Sequence, residues 1–383
     1  MVAARVAMWG LMWIPYFVDW SIRPALPLLV HEIVTQFHLS LGERAFLLSA
    51  FSPLYIAGQI PSSLAAKRLG ATRLLSANVF GNALLMALFA AAGGARGRAR
   101  LWPLWGCMFA MGLAQSPLIP ANQLLVQAWC PAGPERAWSL HIPVWGSHIA
   151  MVLTPILVPA LCARRGWRAV SLGMGLLSAV LGLVWHGMAA DGPSSWRGRP
   201  RITAGERELL APGEAAVLQQ RQGRSEKVPG SGWRAGLAPF RRVAAWMPML
   251  TNVTSTACGY TVLNWGVLIY TERLGCTAAQ TGRYLGLTNL AEIFGQLLGS
   301  ALEAQLLRRQ VGLRRVRTLQ IVIGATGSGA CLTLFALARS PFAATCWNVA
   351  HKLFGACLHS PGLVANYLEV RRIARPAALD DHN

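Results

Sequence analysis

Two charged side chains, Asp19 and Arg23, lie four residues apart in an otherwise apolar stretch near the start of the chain. On a helix this spacing places them on one face, one turn apart. In one interpretation the two charges neutralise each other and serve only the structure. In the other, Arg23 binds an anionic ligand, because its planar guanidinium matches a carboxylate or a phosphate, and Asp19 has a coupling or gating role.

A second set of polar residues lies in apolar stretches of the later part of the chain. Lys352, preceded by His351, either extends from a helix end towards water or faces an anionic ligand. Glu292 either carries a proton or pairs with a neighbouring cation. Three uncharged residues are candidates for hydrogen bonding to a ligand: Tyr260, Asn264 and Asn366.

The stretches that carry these residues indicate the class of protein. Of the 383 residues, 54% are hydrophobic and 13% are charged, whereas a typical soluble domain has about 25% charged residues. The apolar residues fall in blocks of roughly 20 residues, the length that crosses a bilayer. We therefore predict an all-α membrane protein that crosses the lipid bilayer many times.

The composition also excludes other classes. The net charge of +20 does not indicate nucleic acid binding, because the basic residues lie in short connectors and not in one stripe with aromatic residues. The eight Cys residues form no CxxC pair, so we expect no metal site and no cofactor. The sequence offers no paired carboxylates, HxxxD or HExxH motif for an enzyme.

The apolar blocks and their breakers predict about ten transmembrane helices in two bundles. The predicted spans are 7–30, 45–66, 73–94, 101–121, 141–162, 168–190, 244–270, 281–303, 318–338 and 341–364. They define a six-helix bundle at 1–190, a cytoplasmic linker at 191–243, a four-helix bundle at 244–370 and a polar tail at 371–383. With a cytoplasmic N-terminus the inner segments hold 23 Lys and Arg residues and the outer segments 10. This excess favours that orientation, although ten of the 23 lie in the linker.

Several short motifs follow one another along the chain. They are Gln59-Ile60-Pro61 with Leu64, Ala65, Arg68 and Gly70; Gly112 to Gln115 with Pro120-Ala121; Gly166-Trp167-Arg168; Pro200 to Thr203 with Glu206 and Leu209; and Gly362 with Asn366 to Glu369. In order and spacing they resemble the anion:cation symporter family of the major facilitator superfamily, which contains vesicular glutamate transporters, sialin and plastid phosphate transporters. The resemblance implies a two-bundle helical fold with spans one, four, seven and ten around a central cavity. Arg23 aligns with the family's first-span Arg.

The chain departs from this family at positions that matter for transport. The Arg of the fourth-span motif is Met108 here, and the Glu of that motif is Gln115, an amide that cannot titrate. The Asp of the second-span motif, which helps to lock the inner gate in the superfamily, is Lys67, followed by Arg68. The resemblance therefore assigns Gln115, Lys67 and Arg68 to coupling or gating, in altered form. We expect Lys352 to replace the cation lost at Met108.

Two functions from different classes fit these observations. The leading hypothesis is a secondary active transporter that moves a small organic or inorganic anion, a phosphate or a carboxylate, by alternating access with a coupled ion, H+ or Na+. The alternative is a transport-incompetent homologue that binds a ligand or a partner protein. The resemblance implies twelve spans, so the last two are expected to be missing: either the sequence is cut short or the second bundle is incomplete.

Overall fold

The computed structural model describes residues 3–92, 101–130, 142–198, 201–222 and 243–358. The described residues form helices and connecting turns, with no β-strand among them. The chain divides into two compact units, Met1–Ser225 and Glu226–Asn383.

The described part of the first unit contains nine α-helices. They are α1 (Ala4–Leu11), α2 (Trp13–Phe37), α3 (Leu41–Ser49), α4 (Phe51–Leu69), α5 (Ala71–Ala92), α6 (Leu101–Gln115), α7 (Leu118–Trp129), α8 (Trp145–Met188) and α9 (Ala204–Arg221). The longest, α8, packs against both α2 and α5, and α4 packs against α6. These contacts bring α2, α4, α5 and α6 together around the polar residues considered below.

The described part of the second unit contains four further α-helices. They are α10 (Val243–Leu268), α11 (Ala278–Arg308), α12 (Leu313–Leu337) and α13 (Pro341–Leu358). A π-helical turn at Ile269–Arg273 follows α10. Helix α13 packs against both α11 and α12, so among the described helices of this unit it lies between these two.

Each of the ten predicted spans overlaps one or more of these helices. By length and composition alone, three of the described helical segments could cross a membrane: Ala71–Ala92, Ile142–Met188 and Thr318–Leu337. The second of these contains two predicted spans, 141–162 and 168–190. They are joined at Gly166, whose φ of 75° and ψ of 157° are not helical. This φ favours glycine, because a Cβ atom would be strained there.

The predicted linker begins with a folded segment that belongs to the first unit. Its helix α9 starts at Thr203, whose hydroxyl accepts a hydrogen bond from the backbone N–H of Glu206, as expected of an N-cap threonine. Helix α9 packs against α7, and its Leu210 and Val217 are buried in an apolar cluster with Trp129.

Two carboxylates from this segment cap helices that lie far away in the sequence. The Glu206 carboxylate accepts hydrogen bonds from the backbone N–H groups of Ala4 (3.3 Å) and Arg5 (2.8 Å), at the start of α1. The N-cap residue of α1 is Ala3, which has no capping side chain of its own. Asp191 accepts from the backbone N–H of Thr72 at 2.8 Å, at the start of α5, and from Arg221 at 2.6 Å. Both acids satisfy orphan N–H groups and oppose the positive end of a helix dipole.

We predict that Glu206→Ala lowers the stability of the protein because α1 then loses its acceptor. Losing an N-cap costs about 0.5–2 kcal/mol, which corresponds to a fall of a few degrees in the midpoint of thermal unfolding. Glu206→Gln keeps an acceptor oxygen and should lose less. Thermal unfolding of the detergent-solubilised protein measures both changes. Glu208→Ala is the control, because Glu208 lies on the same helix with its side chain exposed; an equal loss there would contradict the capping role.

Candidate functional site

Arg23 is buried inside the first unit, with 4% of its surface exposed. Its Nε donates a hydrogen bond to the side-chain oxygen of Gln115 on α6, at 2.8 Å. The guanidinium carbon lies 4.7 Å from the ring centres of both Trp20 and Tyr55 and 5.7 Å from that of Phe51. Rings within about 6 Å attract a cation through their π-electrons, so three aromatic side chains help to hold the charge away from water.

Asp19, one helical turn before Arg23, is fully buried. Its carboxylate accepts hydrogen bonds from two amides on α5: Asn82 donates to Oδ1 at 2.8 Å and Asn78 donates to Oδ2 at 3.1 Å. Gln115 in turn donates to the side-chain oxygen of Asn82 at 3.0 Å. The structure therefore joins three of the residues singled out in the sequence, Asp19, Arg23 and Gln115, in one buried polar cluster.

The close approach of α4 and α6 places the aromatic residues beside Arg23. A Cβ atom on Gly112 of α6 would overlap the backbone carbonyl oxygen of Phe51 on α4. Only glycine therefore allows α4 and α6 to approach this closely. Phe51 and Tyr55 both lie on the turn of α4 that contacts Gly112. One turn before Gly112 on α6 lies Met108, which is buried and contributes no charge to the cluster.

Sequence reasoning did not find the two asparagines. Asn78 and Asn82 lie inside the third apolar block, and their block predicts only a membrane span. They are four residues apart, the same spacing as Asp19 and Arg23, so they also share one face of a helix. Two amides at this spacing within an apolar stretch were the signal that could have revealed them.

In the second unit, Lys352 on α13 donates to a carboxylate oxygen of Glu292 on α11 at 2.8 Å. Their side chains are 12% and 23% exposed, respectively. Of the two roles considered for Glu292 in the sequence, this contact corresponds to pairing with a neighbouring cation. The adjacent His351 is buried, and its Nδ1 lies 2.8 Å from the hydroxyl oxygen of Ser328 on α12. The pair and the histidine thus connect the three helices of this unit that pack together.

The remaining predicted site residues lie apart from these two groups. Tyr260 and Asn264 are half-buried on α10. Lys67 and Arg68 form the last turn of α4, half-buried and exposed respectively, where positive charge favours the negative end of a helix dipole. Asn366 lies outside the described residues.

The chain belongs to the Major Facilitator Superfamily, whose family model matches residues 8–367. This superfamily consists of multi-pass membrane transporters and not of enzymes, in agreement with the class predicted from the sequence. The all-α fold expected from the resemblance is confirmed.

Solved structures with the same fold are similar to the chain over nearly its whole length. A bacterial homologue of the human lysosomal transporter Spinster, in an inward-facing unoccupied conformation, aligns with a TM-score of 0.66 and 14% identity, covering 97% of this chain and 79% of that one. The xylose transporter XylE of E. coli aligns with a TM-score of 0.63 and 12% identity, covering 97% and 89%. At such identities the likeness concerns the fold alone.

The sequence relatives confirm the resemblance to anion transporters. A probable galactarate/D-glucarate transporter of Escherichia coli (strain K12) is 25% identical over 305 residues, 79% of this chain and 66% of that protein. A probable sulfoacetate transporter of Cupriavidus necator is 22% identical over 329 residues, covering 85% and 71%. The uncharacterised transporter slc-17.2 of Caenorhabditis elegans is 23% identical over 352 residues, covering 88% and 67%. The chain spans about two thirds of the length of these relatives.

We predict that Lys352→Met and Glu292→Gln each destabilise the protein more than expected from their sizes, because each removes the ion pair between two half-buried side chains. Breaking a fully buried pair costs about 3–5 kcal/mol, and partial exposure reduces this to about 1–3 kcal/mol here. The double variant should lose less than the sum of the single losses. Thermal unfolding measures the cycle, with Arg283→Met, an exposed cation on α11, as the control. Strictly additive losses would contradict the coupling.

Proposed function

We propose that this protein is a secondary active transporter of a small anion, with Arg23 as the group in the first unit that binds the anion. The observation that carries the proposal is the burial of Arg23 between aromatic rings and a neutral amide. A charged group at membrane depth costs several kcal/mol, and anion binding is a function that accounts for keeping one there. Family membership supports transport as the activity.

The surroundings of Arg23 suit a carboxylate ligand. Aromatic rings stack against the flat faces of a guanidinium, whereas its N–H donors lie in the plane and point outwards at the edge. The positions of the Trp20 and Tyr55 rings, with centres 4.7 Å from the guanidinium carbon, are therefore compatible with hydrogen bonding from that edge to a carboxylate or phosphate. Gln115 holds Nε without adding a negative charge that would compete with the ligand.

The relatives indicate which anions to test first. Three of them are named for galactarate and D-glucarate, for sulfoacetate and for D-galactonate. All four compounds are small, hydrophilic and carry at least one carboxylate. We propose a small organic carboxylate of this kind as the substrate, ahead of inorganic phosphate, with H+ or Na+ as the coupled ion.

Uptake into liposomes that contain the purified full-length protein tests the proposal. Radiolabelled D-glucarate, galactonate, sulfoacetate, glutamate, sialic acid and phosphate are offered under imposed pH and Na+ gradients. We expect saturable uptake of at least one carboxylate and its loss in Arg23→Ala. A hydrogen bond to a charged group is worth about 1.5–3 kcal/mol, so the apparent affinity should fall about ten- to a hundredfold.

Arg23→Lys and Arg165→Lys form the matched comparison. The first keeps the charge of the buried residue but removes the planar fork, so we expect it to lose most of the uptake. The second makes the same change at an exposed residue of α8 and should transport normally. Normal uptake by Arg23→Ala would overturn the assignment of the anion site.

Lys352→Ala tests the second cation separately. If Lys352 replaces the charge lost at Met108, we expect the variant to fold but to take up the anion with at least about tenfold lower efficiency. The double variant Lys352→Ala/Glu292→Ala removes both members of the ion pair and controls for misfolding. Normal transport by either variant would limit Lys352 to a structural pair with Glu292.

The second candidate function is ligand binding without transport. Met108 and Gln115, which stand where the family has an arginine and a glutamate, favour it because both replacements remove charges connected with transport. In this case the protein binds one of the same anions, seen as ligand-dependent stabilisation against heat, and no gradient produces uptake.

A further inference from the structure

Three hydrogen bonds run in a single direction from Arg23 to Asp19. Arg23 donates to Gln115 at 2.8 Å, Gln115 donates to Asn82 at 3.0 Å, and Asn82 donates to Asp19 at 2.8 Å. All four side chains are buried, with exposures of 4%, 0%, 0% and 0% in that order. A buried cation and a buried anion, one turn apart on α2, are thus also connected through two amides on α6 and α5.

The chemistry of the two ends fixes the direction of this chain. A guanidinium can only donate hydrogen bonds and an ionised carboxylate can only accept them, whereas a primary amide does both from opposite sides. If either amide were turned over, an oxygen would face an oxygen or an NH2 group would face an N–H donor. Only one orientation of Gln115 and Asn82 therefore satisfies every contact, and burial makes an unsatisfied group costly.

We propose that Asn82 is a positioning residue for anion binding: it holds Gln115 with its carbonyl oxygen towards Arg23 and so fixes the orientation of the guanidinium that meets the anion. This inference rests on the proposed function of Arg23. Asn82 acts through Gln115, so its influence should depend on the presence of an amide at that position.

Asn78 is a natural control in the same helix. It lies one turn before Asn82, is equally buried and also donates to Asp19, at 3.1 Å. Its second hydrogen bond goes to the backbone oxygen of Ala114, at 2.8 Å, and not to the Gln115 side chain. Asn78 and Asn82 thus share the support of Asp19 but differ in the contact that orients Gln115.

The first measurement is a mutant cycle by thermal unfolding of the full-length protein in detergent. Asn82→Ala and Asn78→Ala are each combined with Arg23→Met, in the Gln115 protein and again with Gln115→Met. In the Gln115 protein we expect the losses in unfolding midpoint caused by Asn82→Ala and Arg23→Met to deviate from additivity by a few degrees, and those of Asn78→Ala and Arg23→Met to deviate less. In the Gln115→Met series the two asparagine variants should show the same deviation. Equal deviations for both asparagines in the Gln115 protein would overturn the proposal.

The second measurement is the dependence of liposome uptake on anion concentration. Losing one net hydrogen bond is worth about three- to tenfold in affinity, so we expect Asn82→Ala to raise KM by about that factor while the maximal rate changes less than twofold. Asn78→Ala keeps the contact between Asn82 and Gln115 and should raise KM by a smaller factor. A fall in maximal rate at unchanged KM in Asn82→Ala would indicate a merely structural role and overturn the inference.

The two measurements separate this inference from the proposed function. If the wild-type protein takes up and binds none of the anions, the proposed function fails. The positioning role in anion binding then fails too, even if the unfolding cycle shows that Asn82 and Arg23 are coupled through Gln115. If the wild-type protein transports and the two asparagines behave alike, only the positioning role fails. Should Asn82→Ala not fold, Asn82→Ser and Asn78→Ser, which also remove the amide but leave a small polar side chain, replace the two alanine variants in the same comparisons.

Discussion

The burial of one guanidinium is the constraint on which the first unit depends. Several parts of the fold support Arg23 at once: rings from α2 and α4 lie beside it, an amide from α6 accepts from its Nε, and the carboxylate of Asp19 lies one turn away on the same helix. Trp20 and Asp19 belong to α2 itself, Tyr55 and Gln115 come from α4 and α6, and α5 holds Asp19 through its two asparagines. The packing of α2, α4, α5 and α6 is therefore coupled to the position of a single charge.

Gln115 stands where the resemblance described above implies a glutamate, and its surroundings give a local physical reason for an amide. The side chain at this position must accept from Arg23 and also donate to Asn82, whose own NH2 group is committed to Asp19. An amide meets both requirements, whereas a carboxylate would place an oxygen against the Asn82 oxygen unless it carried a proton. The amide of Gln115 therefore satisfies both of its hydrogen-bonding neighbours. An amide at this position is thus part of a polar network with Asn78 and Asn82, and not only the loss of a group that titrates.

Much of the fold was predictable because lipid imposes long apolar helices, and all ten predicted spans overlap described helices. The break that separates α6 from α7 lies at Ser116 and Pro117, and hydropathy alone does not predict it, because a proline interrupts a helix without making the block less apolar. Arg23 and Asp19 were found because a charge in an apolar block is costly. Asn78 and Asn82 were missed because uncharged amides hardly interrupt such a block. Helix α9 was missed although Thr203 and Glu206 have the spacing of a helix start.

The docking of α9 determines where the amino-terminal half of the molecule can be separated from the rest. A fragment that ended at residue 190, where the sixth apolar block ends, would lack Glu206 and Asp191. The first turns of α1 and α5 would then lose the carboxylates that accept hydrogen bonds from their backbone N–H groups. It would also remove Leu210 and Val217 from the buried apolar cluster that contains Trp129. Extending the fragment through residue 222 retains all of these contacts, so the natural boundary of this half lies about thirty residues beyond its last membrane helix.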